Sequence, residues 1–246
     1  MMSQRVITIA HRGASGTRPE NTLSAFRRAI EVGADMIELD LRASADGVAV
    51  VMHDAAADRT TDGSGAVSEL TLKQLRALDA GSWRSPDFAG ERVPDLAEVV
   101  ALTAGRIGLD LELKVTGVEE QALEAAQRVG NGWSFISSFH DECLAQVRQL
   151  DPSVRTGLIV GIDPLSEDEV RRLVERVQGL GASILAASYR GITPALMEAA
   201  AAAAISVIAW TVDERDDMCR MMELGVAGIA SNYPETLMDT LRAPKG

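Results

Sequence analysis

The chain reads as a (β/α)8 barrel with a small insertion after its second strand, one domain over all 246 residues. Three observations carry that expectation. Strand-like and helix-like runs alternate along almost the whole length, as in a parallel sheet built from βα units. Eight barrel strands can be counted, in about the length such a barrel needs. The competing doubly wound fold needs a glycine fingerprint after its first strand, and the early cluster Gly13-Ala-Ser-Gly16 lacks the third glycine.

Residues 5–10 form the first strand. A helix over 21–32 follows, with Leu23, Phe26 and Ile30 on one face, Asn21 as a cap candidate and Gly33 closing it. Met36-Ile-Glu-Leu-Asp-Leu-Arg42 is the second strand. An Asp46-Gly47 turn, too short for a crossover, returns residues 48–53 antiparallel and carries His53 back toward Glu38 and Asp40. Residues 54–92 are rich in Gly, Ser, Thr and Asp around one short helix near 72–78, which reads as an elaborated loop over the strand ends and a candidate lid. A helix starts at Pro94. Strands at 107–114, 133–139, 154–160, 183–188, 206–212 and 228–231 complete the eight, each followed by a helix, among them an alanine-rich one over 194–204.

Two of these strands are unusual. Side chains alternate along a strand, so 36–42 puts Glu38, Asp40 and Arg42 on one face and Ile37, Leu39 and Leu41 on the other. Residues 109–114 repeat the pattern with Asp110, Glu112 and Lys114 against three leucines. A half-solvated antiparallel strand would alternate in the same way. In a helix-covered parallel sheet these charges enter the interior, where an unpaired one costs on the order of several kcal/mol. A hard divalent cation held by carboxylate oxygens would neutralise them, and pairing with Arg42 and Lys114 is the competing answer.

The composition, 46% hydrophobic and 24% charged, suits a chain with a large buried core. A net charge of −12 repels nucleic-acid phosphate and anionic lipid, so an anionic substrate has to be met by a local cationic cluster. Cys143 and Cys219 fall in helical runs and suggest no disulfide framework. The apolar run before His11 is too short for a secretion signal, and the longest one, 199–210, is interrupted by Ser206 and too short to span a bilayer. These features predict a cytoplasmic protein without a membrane anchor or nucleic-acid partner; they leave its oligomeric state open.

In a barrel the reacting groups gather at the C-terminal strand ends. Those ends read His11-Arg12-Gly13, Glu38 with Asp40, Glu112 with Lys114, Ser137-Ser138-Phe139 and Trp210-Thr211. Histidines occur at 11, 53 and 140 only. A lone histidine is more often structural, but a pair beside a carboxylate cluster suits proton transfer. Cleaving a phosphodiester needs charge on the non-bridging oxygens neutralised, a base for the attacking hydroxyl and an acid for the leaving alkoxide. Arg12 and Lys114 can supply positive charge, a divalent ion can polarise the phosphoryl oxygen, and two histidines can divide the proton work.

The ordered set His11-Arg-Gly13, Pro19-Glu-Asn-Thr22, Gly33-Ala-Asp-Met-Ile-Glu-Leu-Asp40, Asp46-Gly47, Val51-Met-His-Asp54, Arg59-Thr-Thr61, Leu111-Glu-Leu-Lys114 and Trp210-Thr-Val212 resembles the glycerophosphodiester phosphodiesterase family nearly end to end. The resemblance implies a (β/α)8 barrel with an insertion after the second strand, and a small-molecule glycerophosphodiester substrate cleaved to glycerol 3-phosphate and an alcohol. It implies that Glu38, Asp40 and Glu112 bind Mg2+ or Ca2+, that His11 and His53 act as general acid and base, and that Arg12 and Lys114 grip the phosphate. Attack comes from a neighbouring substrate hydroxyl or from water.

Other residues carry two readings each. Trp210 walls the head-group pocket or belongs to the core. Glu20 and Asn21 orient the His11 loop or cap the first helix. His140 reads as surface, and Trp83 and Phe88 as local packing in the insertion or part of a lid. Two places depart from the family pattern. Asp213 stands where the family usually has Asn after Trp-Thr-Val, and Ala227-Gly-Ile-Ala-Ser-Asn232 stands where it often reads Asp-Gly-Ile followed by Thr-Asp. These departures touch substrate choice and local hydrogen bonding more than catalysis. A phospholipase D-like activity on lysophospholipids or sphingomyelin, and a phosphoester-binding module without catalysis, are the alternatives.

Overall fold

Eight parallel strands close into a ring in the computed structural model, which describes residues 5–129 and 134–243. β1 (Ile7–His11) and β2 (Met36–Ala43) come first, and β3 (Ala49–Val51) folds back on β2. β4 (Gly108–Leu113), β5 (Phe135–Ser138), β6 (Thr156–Val160), β7 (Ile184–Ser188), β8 (Ser206–Trp210) and β9 (Gly228–Ser231) follow. Neighbours run β1-β9-β8-β7-β6-β5-β4-β2-β3, and β1 also pairs with β2, so β3 stands outside the closed barrel. The antiparallel hairpin expected from Asp46-Gly47 is present, with Leu41 opposite Val51 and Arg42 opposite Val50.

The helices are α1 (Leu23–Val32), α2 (Leu72–Leu75), α3 (Leu96–Thr103), α4 (Glu119–Val129), α5 (Asp141–Leu150), α6 (Glu167–Gly179), α7 (Pro194–Ala202), α8 (Arg215–Leu224) and α9 (Pro234–Arg242). The short α2 lies in the insertion, and one of the others follows each barrel strand. Several bounds differ from the sequence expectation for local reasons. Thr22, not Asn21, caps α1, its hydroxyl accepting from the Ala25 N–H at 3.3 Å. Asn21 sits at φ +57 and turns its amide elsewhere. α3 begins after Asp95 rather than at Pro94, because Asp95 and Glu98 form a reciprocal capping box. Residues 212 and 78 extend apolar runs without extending β8 or α2: Val212 is buried beyond the strand end, its N–H meeting the Ala230 carbonyl at 2.9 Å. Position 133, expected to begin the fourth barrel strand, lies outside the described residues.

Period two divides the strands as expected. The outward side chains Ile37, Leu39, Leu41, Leu109, Leu111 and Leu113 join Phe26, Val99 and Leu123 of the surrounding helices in one buried cluster. A second outward cluster packs β6–β9 against α6–α9. Inside the barrel, Ile9, Met36, Phe135, Ile159, Ile184 and Ile208 fill the lower layers, with Trp210 at their upper edge. Gly13, at φ +79, turns the chain after β1 directly against α1, where a Cβ would come within 2.7 Å of Ala25. No helix among the described residues is long and apolar enough to cross a membrane. Cys143 and Cys219 are free thiols, the first buried and the second exposed.

The insertion packs through a satellite cluster that it shares with the hairpin: Val50 and Met52 meet Ala57, Val67, Leu75, Ala80 and Val93. It is tied to the β1–α1 loop by Arg59 on Glu20 at 2.8 Å, by the Arg84 guanidinium on the Gly16 carbonyl, and by Arg18 stacked 5.2 Å from the Phe88 ring.

Candidate active site

Strand register brings the inward polar residues together. His11 lies beside Glu38, Glu38 beside Asp110, Asp40 beside Glu112 and Glu112 beside Ser137 across β1, β2, β4 and β5. Glu38, Asp40 and Glu112 are 5%, 0% and 6% exposed, and one oxygen of each lies within 4.8 Å of the others. Two cations flank them. Arg12 Nε is 3.3 Å from Asp40 Oδ2, and Lys114 Nζ is 3.0 Å from Asp40 Oδ1 and also contacts Glu112. Arg42 takes no part in this pairing; its Nε donates to the His53 carbonyl at 2.8 Å and so anchors the end of the hairpin.

Four inward carboxylates, counting Asp110, outnumber these two cations, and protonation reflects it. Burial, reinforced by the charges on Asp40, Glu112 and Asp110, holds the Glu38 carboxyl well above the usual range. Burial and Asp40 push Glu112 up to about 7. Burial lifts Asp110 to about 8 although Ser137 donates to it at 2.5 Å. Asp40 alone goes the other way: against the pull of burial, Lys114 and Arg12 bring it down to about 2.

This oxygen set fits a hard divalent cation. Glu38 Oε1 is buried with no donor among the described residues, and Asp40 Oδ1 and Glu112 Oε1 meet no donor other than the Lys114 ammonium. A buried acceptor left bare costs about 1–3 kcal/mol, which a bound cation removes. Carboxylate ligands without sulfur or imidazole suit Mg2+ or Ca2+ rather than a softer metal.

Two imidazoles belong to this mouth. His11 Nε2 is 3.9 Å from Glu38 Oε2, and burial followed by the Arg12 charge pushes its pKa down to about 4. His53 reaches Asp54 Oδ1 through Nδ1 at 2.6 Å, and burial lowers it despite Asp40 and Asp54. Asp54 is gripped by Arg59, Arg59 by Glu20, and Glu20 by Arg12 at 2.8 Å, so an ion-pair chain leads from the partner of His53 to the residue after His11. Asn21 Nδ2 donates to Asp40 Oδ2 at 2.7 Å. Glu20 and Asn21 therefore serve the site and not the helix cap. Their roles, and those of Asp54 and Arg59, were not legible in spacing, because the contacts join residues up to 39 positions apart.

The opposite wall is aromatic. Trp210 meets the Phe139 ring edge-on at 5.6 Å, and Lys114 Nζ lies 5.5 Å from the centre of Phe139. Trp210 thus tops the barrel core and walls the mouth at once. Beyond Phe139 opens a cavity of about 360 Å3 against Ile159, Ile162, Leu165 and Arg172. The departures at 213 and 232 touch each other: Asn232 Nδ2 donates to Asp213 Oδ2 at 2.7 Å. At 227 the carbonyl accepts from the Ile7 N–H at 2.9 Å, a contact any residue supplies.

The family model described as the Glycerophosphoryl diester phosphodiesterase family matches residues 11–236. The chain belongs to this family. A glycerophosphodiester phosphodiesterase of Caldanaerobacter subterraneus subsp. tengcongensis is 38% identical to it, over 97% of this chain and 98% of its own. One from Bacillus subtilis is 33% identical over 94% and 85%. Among solved structures, an Oleispira antarctica phosphodiesterase in complex with the product sn-glycerol-3-phosphate matches with a TM-score of 0.85 at 30% identity, covering 96% of this chain and 97% of that one. In this glycerophosphodiester phosphodiesterase family member, His11, Arg12, Glu38, Asp40, His53, Glu112, Lys114 and Trp210 share one barrel mouth, whereas His140 lies exposed before α5.

Proposed function

We propose that the chain hydrolyses glycerophosphodiesters to glycerol 3-phosphate and an alcohol, in the cytoplasm and on a water-soluble substrate. The observation that carries this is the buried carboxylate triad with the His11 imidazole beside it and two cations paired with it. Glu38, Asp40 and Glu112 hold Mg2+ or Ca2+, which when bound polarises a phosphoryl oxygen. Arg12 and Lys114 face the non-bridging oxygens and stabilise the charge that grows there. One imidazole of the His11–His53 pair takes the proton of the attacking water or substrate hydroxyl and the other gives a proton to the leaving alkoxide; where a substrate hydroxyl attacks, water then opens the cyclic phosphate to glycerol 3-phosphate. Trp210, with Phe139, walls the side on which the alcohol departs. The 54–92 segment acts as a cover over His53.

The test is a panel of glycerophosphodiesters and one lysophospholipid, each assayed with several divalent ions. Release of glycerol 3-phosphate, abolished by EDTA and reduced about 10²–10⁴-fold in His11→Ala and in His53→Ala, is expected. Turnover of the lysolipid alone would move the reading to a phospholipase D-like reaction, and binding without turnover in saturating cation to a non-catalytic module.

A further inference from the structure

Asp213 and Asn232 are used by none of the steps above, yet they end directly on His11. Asp213 Oδ1 accepts from the Asn232 backbone N–H at 2.8 Å and from the Ser231 hydroxyl at 3.1 Å, while Oδ2 accepts from Asn232 Nδ2 at 2.7 Å. A carboxylate only accepts, so the Asn232 side chain must turn its NH2 toward Asp213 and its oxygen away. That oxygen is 2.8 Å from His11 Nδ1. An amide oxygen cannot donate, so Nδ1 has to carry the hydrogen. The Ser15 hydroxyl, 2.8 Å from the same oxygen and 2.7 Å from the His11 carbonyl, adds a donor on that side and no acceptor that Nδ1 needs. The imidazole keeps one lone pair, on Nε2, and Nε2 is the nitrogen turned to the carboxylate triad.

We propose that Asp213, acting through the Asn232 amide, is a positioning residue that fixes His11 as its Nδ1–H tautomer, so that His11 starts the reaction cycle as the proton acceptor. The assignment of roles rests on the reaction proposed above; the tautomer does not. Removing one acceptor oxygen reverses the chain of donors. In Asp213→Asn the remaining oxygen is claimed by the Asn232 backbone N–H, which leaves two NH2 groups face to face. The Asn232 amide then turns over, offers NH2 to Nδ1 and favours hydrogen on Nε2, the wrong nitrogen for a base. Exchanging both residues repairs it: in the Asp213→Asn, Asn232→Asp double variant the new carboxylate accepts from the position-213 amide and from Nδ1–H together.

Nitrogen-15 NMR of histidine-labelled protein, with His53 and His140 assigned by substitution, reads the tautomer directly. The wild type is expected to show Nδ1–H on His11, Asp213→Asn the Nε2–H form, and the double variant Nδ1–H again. On a glycerophosphodiester, Asp213→Asn lowers kcat by about 10²-fold or more with KM little changed, and the double variant recovers at least ten-fold of that loss. An Nε2–H tautomer in the wild type overturns the proposal and needs no variant to fold. An unchanged tautomer in a folded Asp213→Asn, or a folded double variant no faster than the single one, also overturns it. Nδ1–H on His11 in a protein that cleaves no glycerophosphodiester would reject the reaction and leave the positioning contact standing.

Discussion

On the proposed function, protons and a divalent cation would compete for the same carboxylate oxygens. Glu38 and Glu112 have pKa values raised above the ordinary carboxylate range, Glu112 to about 7, so each holds a proton that an unfolded chain would have lost. A bound cation would displace those protons, so its affinity should climb as the pH rises from about 4.5, the ordinary glutamate range, through about 7, the value for Glu112. Calorimetric titration in buffers of different ionisation heat should show protons released on binding, more at pH 6 than at pH 8; pH-independent binding without release would remove these carboxylates from the ligand set. Lys114 is the second residue to test. The sequence pointed to it both as a phosphate contact and as a partner for the inward carboxylates, and the structure shows that pairing with Asp40 and Glu112. Lys114→Met should lower kcat about 10²-fold while shifting the cation-saturated melting temperature by only a few degrees. Unchanged hydrolysis would exclude Lys114 from the phosphate site.

At the level of elements, the β2–β3 hairpin was readable because a two-residue Asp-Gly turn permits nothing but an antiparallel return. What holds its end in place was not, since Arg42 looked like one more member of a charged strand face. Its contact with the His53 carbonyl makes it a strut. Arg42→Met should reduce kcat roughly 10-fold, as misplaced catalytic groups do, with cation affinity from calorimetry unaltered. Helix starts were read less well than strands: Asn21 and Thr22 are both good caps, and only the left-handed backbone at Asn21 decides between them. The insertion is organised by Asp79, whose carboxyl is held well below the usual range by the N–H groups of Ser82, Gly90 and Gly81. A depressed acid stabilises fully above its unfolded value near pH 4 and loses that contribution as the pH falls through the folded one. Protection of those three amides relative to intrinsic exchange should therefore fall in acid, and Asp79→Ala should lower it at neutral pH while barrel amides stay protected.

For the molecule as a whole, alternating runs were enough to read a barrel, because each parallel neighbour demands a crossover long enough for a helix. The closing of β1 on β2 and β9 follows from that fold class, whereas the aromatic wall, which joins residues 139 and 210, was not readable from local pattern. A cation that binds the folded form alone, at about one hundred times its Kd, adds about 2.7 kcal/mol. EDTA should therefore lower the melting temperature by about 5–10 °C, and no shift would favour a barrel that balances its charges internally. The seam between first and last strands also sets when the enzyme can work. The imidazole at 11 leaves the ribosome 221 residues ahead of the amide that aims it. A partly synthesised chain could line up its acidic ligands from β2 and β4 and still be idle, and turnover would begin only when the final strand docks beside the first.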